Sequence, residues 1–446
     1  MTQTLGFLES DVRDVKLIAN GELMSDTYRA ILSAANAIRR AGVLTYDRVA
    51  FVPSEHPGLE IIYGYLGALL TGATPLLLRP RDPRTTHDLG MLSVTAVASG
   101  SDFRGVSEPM PRDQDEALIV FTSGTTGRPK GVRFSGYSVR HNLDATQSYL
   151  RLEPTDIVAL PLPIHYVYGL SMLNLAVRFG ATIVICDYTM PPIRWLADVA
   201  SANCTTLVLL PHQVRLLLRS SAFCRAELPK IQKITVAGGA LDDLSIHELS
   251  ARFANTQIYL MYGQTEAGPR ISYLPPEDVT VRSGSIGLGI PGWTQLRLAN
   301  VDDVPHIGEI FARSDALMLG YLDLAEQSPI TSDGWLATGD IGRRDSDGYY
   351  YVVARASPFF KPFGERVSFA ELLDVVGVLE PDSDVRLEPL ADPILGETVR
   401  LHITVADVRP ESAARDLKRR LQRELGLTRA PREIVMHTRG DRAKLT

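Results

Sequence analysis

The stretch IVFTSGTTGRPKGV, residues 119–132, runs an apolar segment straight into a loop of hydroxyl residues, glycines and one lysine. Ile119, Val120 and Phe121 read as the end of a buried strand. Gly124 and Gly127 then free the backbone so that N–H groups can converge on an anion, and Thr122, Ser123, Thr125 and Thr126 add hydroxyl donors. Lys130 supplies a positive charge, and the whole suits a polyphosphate. A Walker A loop is excluded: Pro129 stands where that pattern wants glycine, and no Gly-Lys-Ser/Thr triplet follows.

Outward from this loop, strand and helix signals alternate. Downstream come IVAL (157–160), ATIVIC (181–186), TTLVLL (205–210), KITVA (233–237) and QIYL (257–260), separated from one another by helix-length segments. Upstream, Ser25 and Asp26 can cap a helix whose stripe is Ile31, Ala34, Ala35 and Ile38, ending at Gly42. RVAFVP (48–53) reads as a buried strand, Gly58 to Thr71 as a helix, and TPLLL, SVTAVA and ALIVF as strands. Such alternation predicts βα units around largely parallel sheets. After about residue 270 short pieces such as TQLRL and GEIFARS alternate with turn residues, as in a small antiparallel barrel. A last unit opens near 357, with a helix from Ser368, strands near 384–390 and 398–405, a charged helix at 411–425 and a final strand REIVMH. The expected class is α/β. Residues 1–356 form a large domain of two βα sheet lobes plus a small β-barrel-like subdomain, and 357–446 a small α+β C-terminal lid.

Composition sets outer limits. At 446 residues, 45% hydrophobic and 22% charged, the chain is globular and too long for a single core. A net charge of −6 offers no overall basic excess for a nucleic acid, and ARDLKRRLQREL interleaves acids with its bases like a solvated helix face. Cys186, Cys204 and Cys224 lack CxxC spacing and read as core thiols in a reducing compartment. The uncharged run Ile61 to Leu78 is cut by Gly72 and Pro75, so no membrane span is expected. Charged residues Glu9, Asp11, Arg13, Asp14 and Lys16 replace any apolar leader, so the expected location is cytoplasmic.

More segments carry chemistry. In AGGA (237–240) the absent side chains of Gly238 and Gly239 let backbone lie against a flat base. MYGQTEAG (261–268) puts an aromatic plate (Tyr262), a hydroxyl (Thr265) and a carboxylate (Glu266) just past a buried strand, where open α/β sheets bind ligands. One carboxylate is enough for Mg²⁺ when phosphate oxygens complete its shell. GLGIPG (287–292) matches GxGxxG, yet it lacks a preceding apolar strand and a following helix and contains Pro291, so it is not a dinucleotide turn.

Taken in order, these segments resemble the adenylate-forming superfamily of acyl- and aryl-CoA synthetases, peptide-synthetase adenylation domains and luciferases. The resemblance runs from VAFVPSEHPG to Lys444. It implies an AMP-forming ligase that uses ATP and Mg²⁺ to turn a carboxylic acid into acyl-AMP and pyrophosphate, then transfers it to CoA, a carrier protein or an amine. By this resemblance PLPIHYVYGL (161–170) puts His165 beside the carboxylate, and Gly238, Gly239 and Ala240 form the adenine-side loop. Tyr262 stacks on adenine, Gly263 and Gln264 belong to the same nucleotide segment, Thr265 bonds the α-phosphate, and Glu266 holds Mg²⁺. Asp340 in GWLATGDIG and Arg355 after DGYYYVVA take the ribose, and Lys444 in TRGDRAKLT is the catalytic lysine. The implied acid-site wall comprises Tyr166, Tyr168, Gly169, Pro211, His212, Met261 and Gly263, which favours a flat aryl or arylacrylic acid.

This chain departs from the family pattern in places. The stretch between Thr71 and Phe121 is short, the C-terminal unit is compact, and Ala354 replaces a glycine before Arg355. Pro358 stands at the hinge position, where fixed φ favours an adenylating pose over a thioester-forming one, and Phe363 lies where relatives often carry a small residue near the pantetheine channel. Two other readings compete: a same-fold enzyme activating a small inorganic oxyanion, and a degenerate relative that binds nucleotide or acyl group without turnover.

Overall fold

Short, fully buried strands such as TLVL (206–209) must be covered on both faces, and the chain answers with a helix after almost every one. The computed structural model describes residues 12–19, 21–52, 58–78, 94–99, 102–105, 115–122, 130–300, 307–323, 327–355, 359–360, 362, 367–368, 372, 375–376, 378–380, 384–392, 396–405 and 412–438. Within them a thirteen-stranded sheet has a parallel half ordered Gln257–Tyr262, Lys233–Val236, Thr206–Leu209, Ile157–Leu160, Thr182–Ile185 and Lys16–Ala19. Helices Val167–Arg178, Pro192–Ser201, Pro211–Leu218 and Asp243–Arg252 link its strands, which are the anticipated βα units.

The antiparallel strands expected after residue 270 continue this sheet from its Gln257–Tyr262 edge. Ser272–Leu274, Ser285–Gly289, Tyr350–Arg355, Leu336–Arg344, Ile307–Arg313 and Gln295–Asn300 pair in that order. GLGIPG falls at and just after the Ser285–Gly289 strand, and two of its glycines, Gly287 and Gly289, have a packing reason. Gly287 has φ +79°, and a Cβ there would lie 1.9 Å from the Tyr273 carbonyl oxygen.

The second sheet has seven strands, ordered Gly320–Tyr321, Gly131–Ser135, Glu116–Phe121, Thr74–Leu77, Arg48–Val52, Val94–Ser99 and Asp102–Gly105. The pairings among Glu116–Phe121, Thr74–Leu77, Arg48–Val52 and Val94–Ser99 are parallel, and the strands flanking them on either side pair antiparallel. The buried Glu116 carboxylate accepts from Arg48 Nε at 2.7 Å and Arg133 Nε at 2.6 Å, tying three of these strands together. Helix Leu59–Thr71 stops at Gly72 in the left-handed region (φ 71°), and the chain turns into strand Thr74–Leu77. The uncharged run is therefore a helix plus a strand, and no helix among the described residues is long and apolar enough to cross a membrane. Tyr65 Oη on that helix donates to Asn174 Oδ1 on Val167–Arg178 at 3.0 Å, joining the two lobes inside one continuous apolar core.

Residues from 360 onward have a hydrophobic cluster of their own, built on Phe360, Val367, Val399, Leu401, Ile403, Leu417 and Leu421. Three strands, Asp384–Asp392, Gly396–Val405 and Glu433–Thr438, pack against helix Ser412–Leu425, whose buried Leu417, Leu421 and Leu425 recur every four residues. The helix expected from Ser368 starts later. Val367–Ser368 pairs as a strand with Phe359–Phe360, and the first described helical residue is Leu372.

Candidate active site

Four neighbouring parallel strands, ending at Leu160, Leu209, Val236 and Tyr262, deliver their following loops to one edge of the sheet. That is the usual ligand crevice of an open α/β sheet. The loops carry PLPIHYVYGL, Pro211 and His212, AGGA, and GQTEAG. His165 sits half-buried in the turn before helix Val167–Arg178.

Close backbone approach explains the glycines. Gly238 has φ +92°, and a Cβ there would meet Tyr166 Oη at 2.6 Å and Leu210 Cδ2 at 2.9 Å, so the AGGA loop lies directly against the PLPIHYVYGL segment. Gly239 and Ala240 are exposed, and the Ala240 carbonyl accepts from Arg215 Nη2 at 3.0 Å. At Gly263 a Cβ would lie 1.7 Å from the Pro269 carbonyl oxygen, because the chain folds back on itself after the Thr265–Ala267 turn. Asn142 Nδ2 holds that fold-back by donating to the carbonyls of Ala267 (3.2 Å) and Arg270 (3.1 Å).

Two polar junctions assemble the expected nucleotide residues. Tyr262 Oη donates to Asp340 Oδ2 at 2.5 Å, and Asp340, only 1% exposed, sits opposite Arg355 in the antiparallel register. Tyr321 Oη donates to Glu266 Oε1 at 3.0 Å, and Lys130 Nζ lies 4.9 Å from the centroid of the Tyr321 ring. Lys130 closes the base of the loop quoted first, its carbonyl accepting from Thr122 N–H at 2.9 Å. The loop joins two antiparallel strands, Glu116–Phe121 and Gly131–Ser135. Ser123, Gly124, Thr125, Thr126 and Gly127 lie outside the described residues, as do Pro358, Phe363, Lys444 and the Arg355 side chain. Gln264 and Thr265 follow Tyr262 half-buried.

Tyr321 was not legible in the sequence as a site residue; it follows a glycine in a turn-rich stretch, and nothing in its spacing marks it. Arg270 was missed too, although a cation opening the apolar run ISYL is a readable anomaly. Burial, with Arg215 as a neighbouring charge, lowers the pKa of His212 to about 3, so this residue, expected in the acid-site wall, is neutral at physiological pH. Among the described residues no group of three or more His, Cys, Asp or Glu side chains could hold a metal. A cation here would rest on Glu266 plus the oxygens of a polyphosphate, which fits Mg²⁺.

An α/β frame that gathers an aromatic ring, a buried pair of carboxylates and a loop lysine at its strand ends defines a nucleotide-using ligase, here of the AMP-forming class. The family model described as AMP-binding enzyme matches residues 83–322, more than half of the chain, and the chain belongs to that family. It is 28% identical over 357 residues to the indoleacetate–CoA ligase of Aromatoleum aromaticum, a match covering 78% of this chain and 68% of that one. It is 29% identical to the sulfoacetate–CoA ligase of Cupriavidus necator, covering 73% and 64%. The chain thus spans about two thirds of the length of these relatives. The amide bond synthetase of Marinactinospora thermotolerans has the same fold, with a TM-score of 0.82 at 21% identity over 96% of this chain and 94% of that one.

Proposed function

We propose that the protein adenylates a carboxylic acid with ATP and Mg²⁺ and passes the acyl group to an acceptor. One acid oxygen attacks the α-phosphorus, the bond to pyrophosphate breaks, and acyl-AMP and pyrophosphate form. Tyr262, with Gly238, Gly239 and Ala240, takes the adenine; Asp340 and Arg355 take the ribose. Thr122 to Gly127 and Lys130 hold the phosphates, Gly263, Gln264 and Thr265 line the α-phosphate, Glu266 holds Mg²⁺, and His165 borders the acid. Lys444, carried by a lid of residues 357–446, neutralises charge as the new bond forms. The protein's work is positioning and charge stabilisation.

The observation that carries this reading is the pair of junctions Tyr262–Asp340 and Lys130–Tyr321–Glu266, whose contacts join residues that the reading assigns to base, ribose, phosphate and metal and so support it. The named relatives act on indoleacetate and on sulfoacetate, which supports a carboxylic acid as the substrate. The aromatic wall favours an aryl or arylacrylic acid. CoA, a carrier protein and an amine are the candidate acceptors, and the fold is shared with an amide bond synthetase.

The test is pyrophosphate release from ATP across a panel of acids, in wild type and Lys444→Ala. Acid-dependent release that falls by on the order of 10²–10³ in the variant supports the reading. Release driven by an inorganic oxyanion instead, or by no acid at all, overturns it.

A further inference from the structure

Arg270 is the anomaly of the acid-side wall. It is 3% exposed, and its Nε and Nη2 are sealed from solvent without a hydrogen-bond acceptor. Among the described residues no carboxylate pairs with it. Its guanidinium instead lies 4.5 Å from the centroid of the Tyr168 ring and hydrogen-bonds the Tyr149 hydroxyl, and it is the cation that pulls against the burial of the Tyr149 and Tyr168 hydroxyls. One aromatic face and one neutral hydroxyl return only part of what a buried cation without a carboxylate costs. Evolution of a purely structural wall had cheaper options, since leucine or methionine fills such a site without that cost.

The surroundings fix where this charge sits. A Cβ on Gly263 would lie 3.2 Å from Arg270 Cα. Tyr149 Oη, beside the guanidinium, donates to Met261 Sδ at 3.1 Å, and Tyr168 Oη donates to the Thr235 carbonyl at 3.0 Å. Three residues expected to wall the acid, Tyr168, Met261 and Gly263, thus border Arg270 or its partner. The unsatisfied atoms also have a shape. Nε and Nη2 form the side-on edge of the guanidinium, two parallel N–H groups that match the two oxygens of one carboxylate.

We propose that Arg270 is a specificity residue that takes a second anionic group, a carboxylate or a sulfonate, at the end of the acid remote from the carboxylate being activated. The acid class is then a dicarboxylic or sulfo-carboxylic acid whose middle, an aromatic ring or short chain, lies along Tyr166 and Tyr168. Because the free edge now faces protein, the acid seats as the flexible Arg270 side chain turns from the Tyr168 ring to meet it. The inference rests on the adenylation reading above.

The experiment measures pyrophosphate release by the full-length enzyme with ATP and Mg²⁺ for matched sets of acids: a monocarboxylic acid, its dicarboxylic analogue and its sulfo-carboxylic analogue. Wild type is expected to favour one of the dianionic acids on the order of a hundredfold in kcat/KM over the monocarboxylic acid. Arg270→Met is expected to collapse that ratio toward one, chiefly through KM. Arg270→Lys, which keeps the charge but not the fork, should retain part of it and favour the sulfonate arm over the planar carboxylate. Equal use of all three acids by wild type, or a loss in Arg270→Met that is the same for every acid, overturns the proposal and leaves Arg270 a wall residue. If Arg270→Met does not fold, the wild-type ratio together with Arg270→Lys decides. Pyrophosphate release with none of the acids, over a broad panel, speaks against adenylation itself and is thereby distinguishable.

Discussion

Tyr321 Oη and Glu266 Oε1 are joined at 3.0 Å across 55 residues of sequence, both side chains buried, with the Lys130 ammonium over the same tyrosine ring. One ring therefore aims the proposed Mg²⁺ carboxylate and flanks the proposed phosphate lysine. The Met318 N–H donating to the Glu266 carbonyl at 3.0 Å ties the same two segments through backbone. Tyr321→Phe keeps the ring and removes only the hydroxyl. A hydrogen bond to a charged group contributes about 1.5–3 kcal/mol, so the variant should need roughly tenfold or more Mg²⁺ for half-maximal pyrophosphate release. An unchanged Mg²⁺ titration means that backbone alone positions Glu266.

Asp340 is held by Tyr262 Oη and by its own N–H, which donates to Thr338 Oγ1 at 3.1 Å. A buried carboxylate fixed in this way can accept from both ribose hydroxyls. Removing two charge-assisted hydrogen bonds predicts that Asp340→Ala weakens ATP binding by about 2–3 kcal/mol, read by equilibrium titration with ATP. Unaltered ATP affinity would take Asp340 out of the ribose role.

How much of this was legible depended on whether the deciding interaction was local. IVAL at 157–160 became strand Ile157–Leu160 because a short apolar run bounded by turn residues has few other ways to be buried. Gly238 and Gly287 sit where a Cβ would collide with neighbouring atoms, a crowding that the missing side chains announce, whereas Gly292 meets nothing and is set by its positive φ. Val367–Ser368 escaped because a two-residue strand is set by its partner, Phe359–Phe360, rather than by its own pattern. Asp26 stands at the expected N-cap but makes no side-chain capping bond, so the helix Thr27–Arg40 begins on its buried stripe instead. Tyr321 and Arg270 act through tertiary neighbours, and no spacing rule reaches that far.

Two glycines separate steric from conformational cost. Gly263→Ala would force a Cβ to within 1.7 Å of the Pro269 carbonyl oxygen, whereas at Gly292, with φ +78°, a Cβ would meet nothing within 4 Å. Gly292→Ala should therefore cost only the left-handed strain, about 1–2 kcal/mol. Gly263→Ala must move backbone beside Tyr262 and should lose more than that, together with adenylation. Denaturant unfolding of the two variants checks the order, and equal losses would mean that the Gly263 fold-back yields easily.

Pro358 lies outside the described residues, and its role is argued from sequence alone. Proline at the hinge position leaves only ψ soft, which biases the lid toward the adenylating pose and the acyl group toward an amine or another nucleophile that needs no pantetheine channel. Thioester formation by wild type should lag well behind pyrophosphate release, and Pro358→Asp should narrow the gap. Wild-type thioester formation as fast as adenylation ends the hinge idea.

His212 makes a prediction about acid stability. Burial and Arg215 hold its native pKa at about 3, against 6.5 in the unfolded chain. As pH falls below about 6.5 the unfolded state takes up a proton that the native state refuses, so stability is lost progressively on acidification. The sign is that of a depressed pKa: the contribution is whole above the unfolded value and declines below it. For one group the slope approaches about 1.4 kcal/mol per pH unit. Asp156 and Asp242, also depressed, have an ordinary value of 3.8, so their contributions fade only at lower pH. Between pH 6.5 and 5 the buried histidine should therefore dominate among these three. Urea unfolding of wild type should show stability falling across that window, and His212→Gln should flatten the slope whatever its stability at neutral pH. Parallel pH profiles for the two proteins would mean that His212 takes up its proton in the folded state and that the wall at this point is open to water.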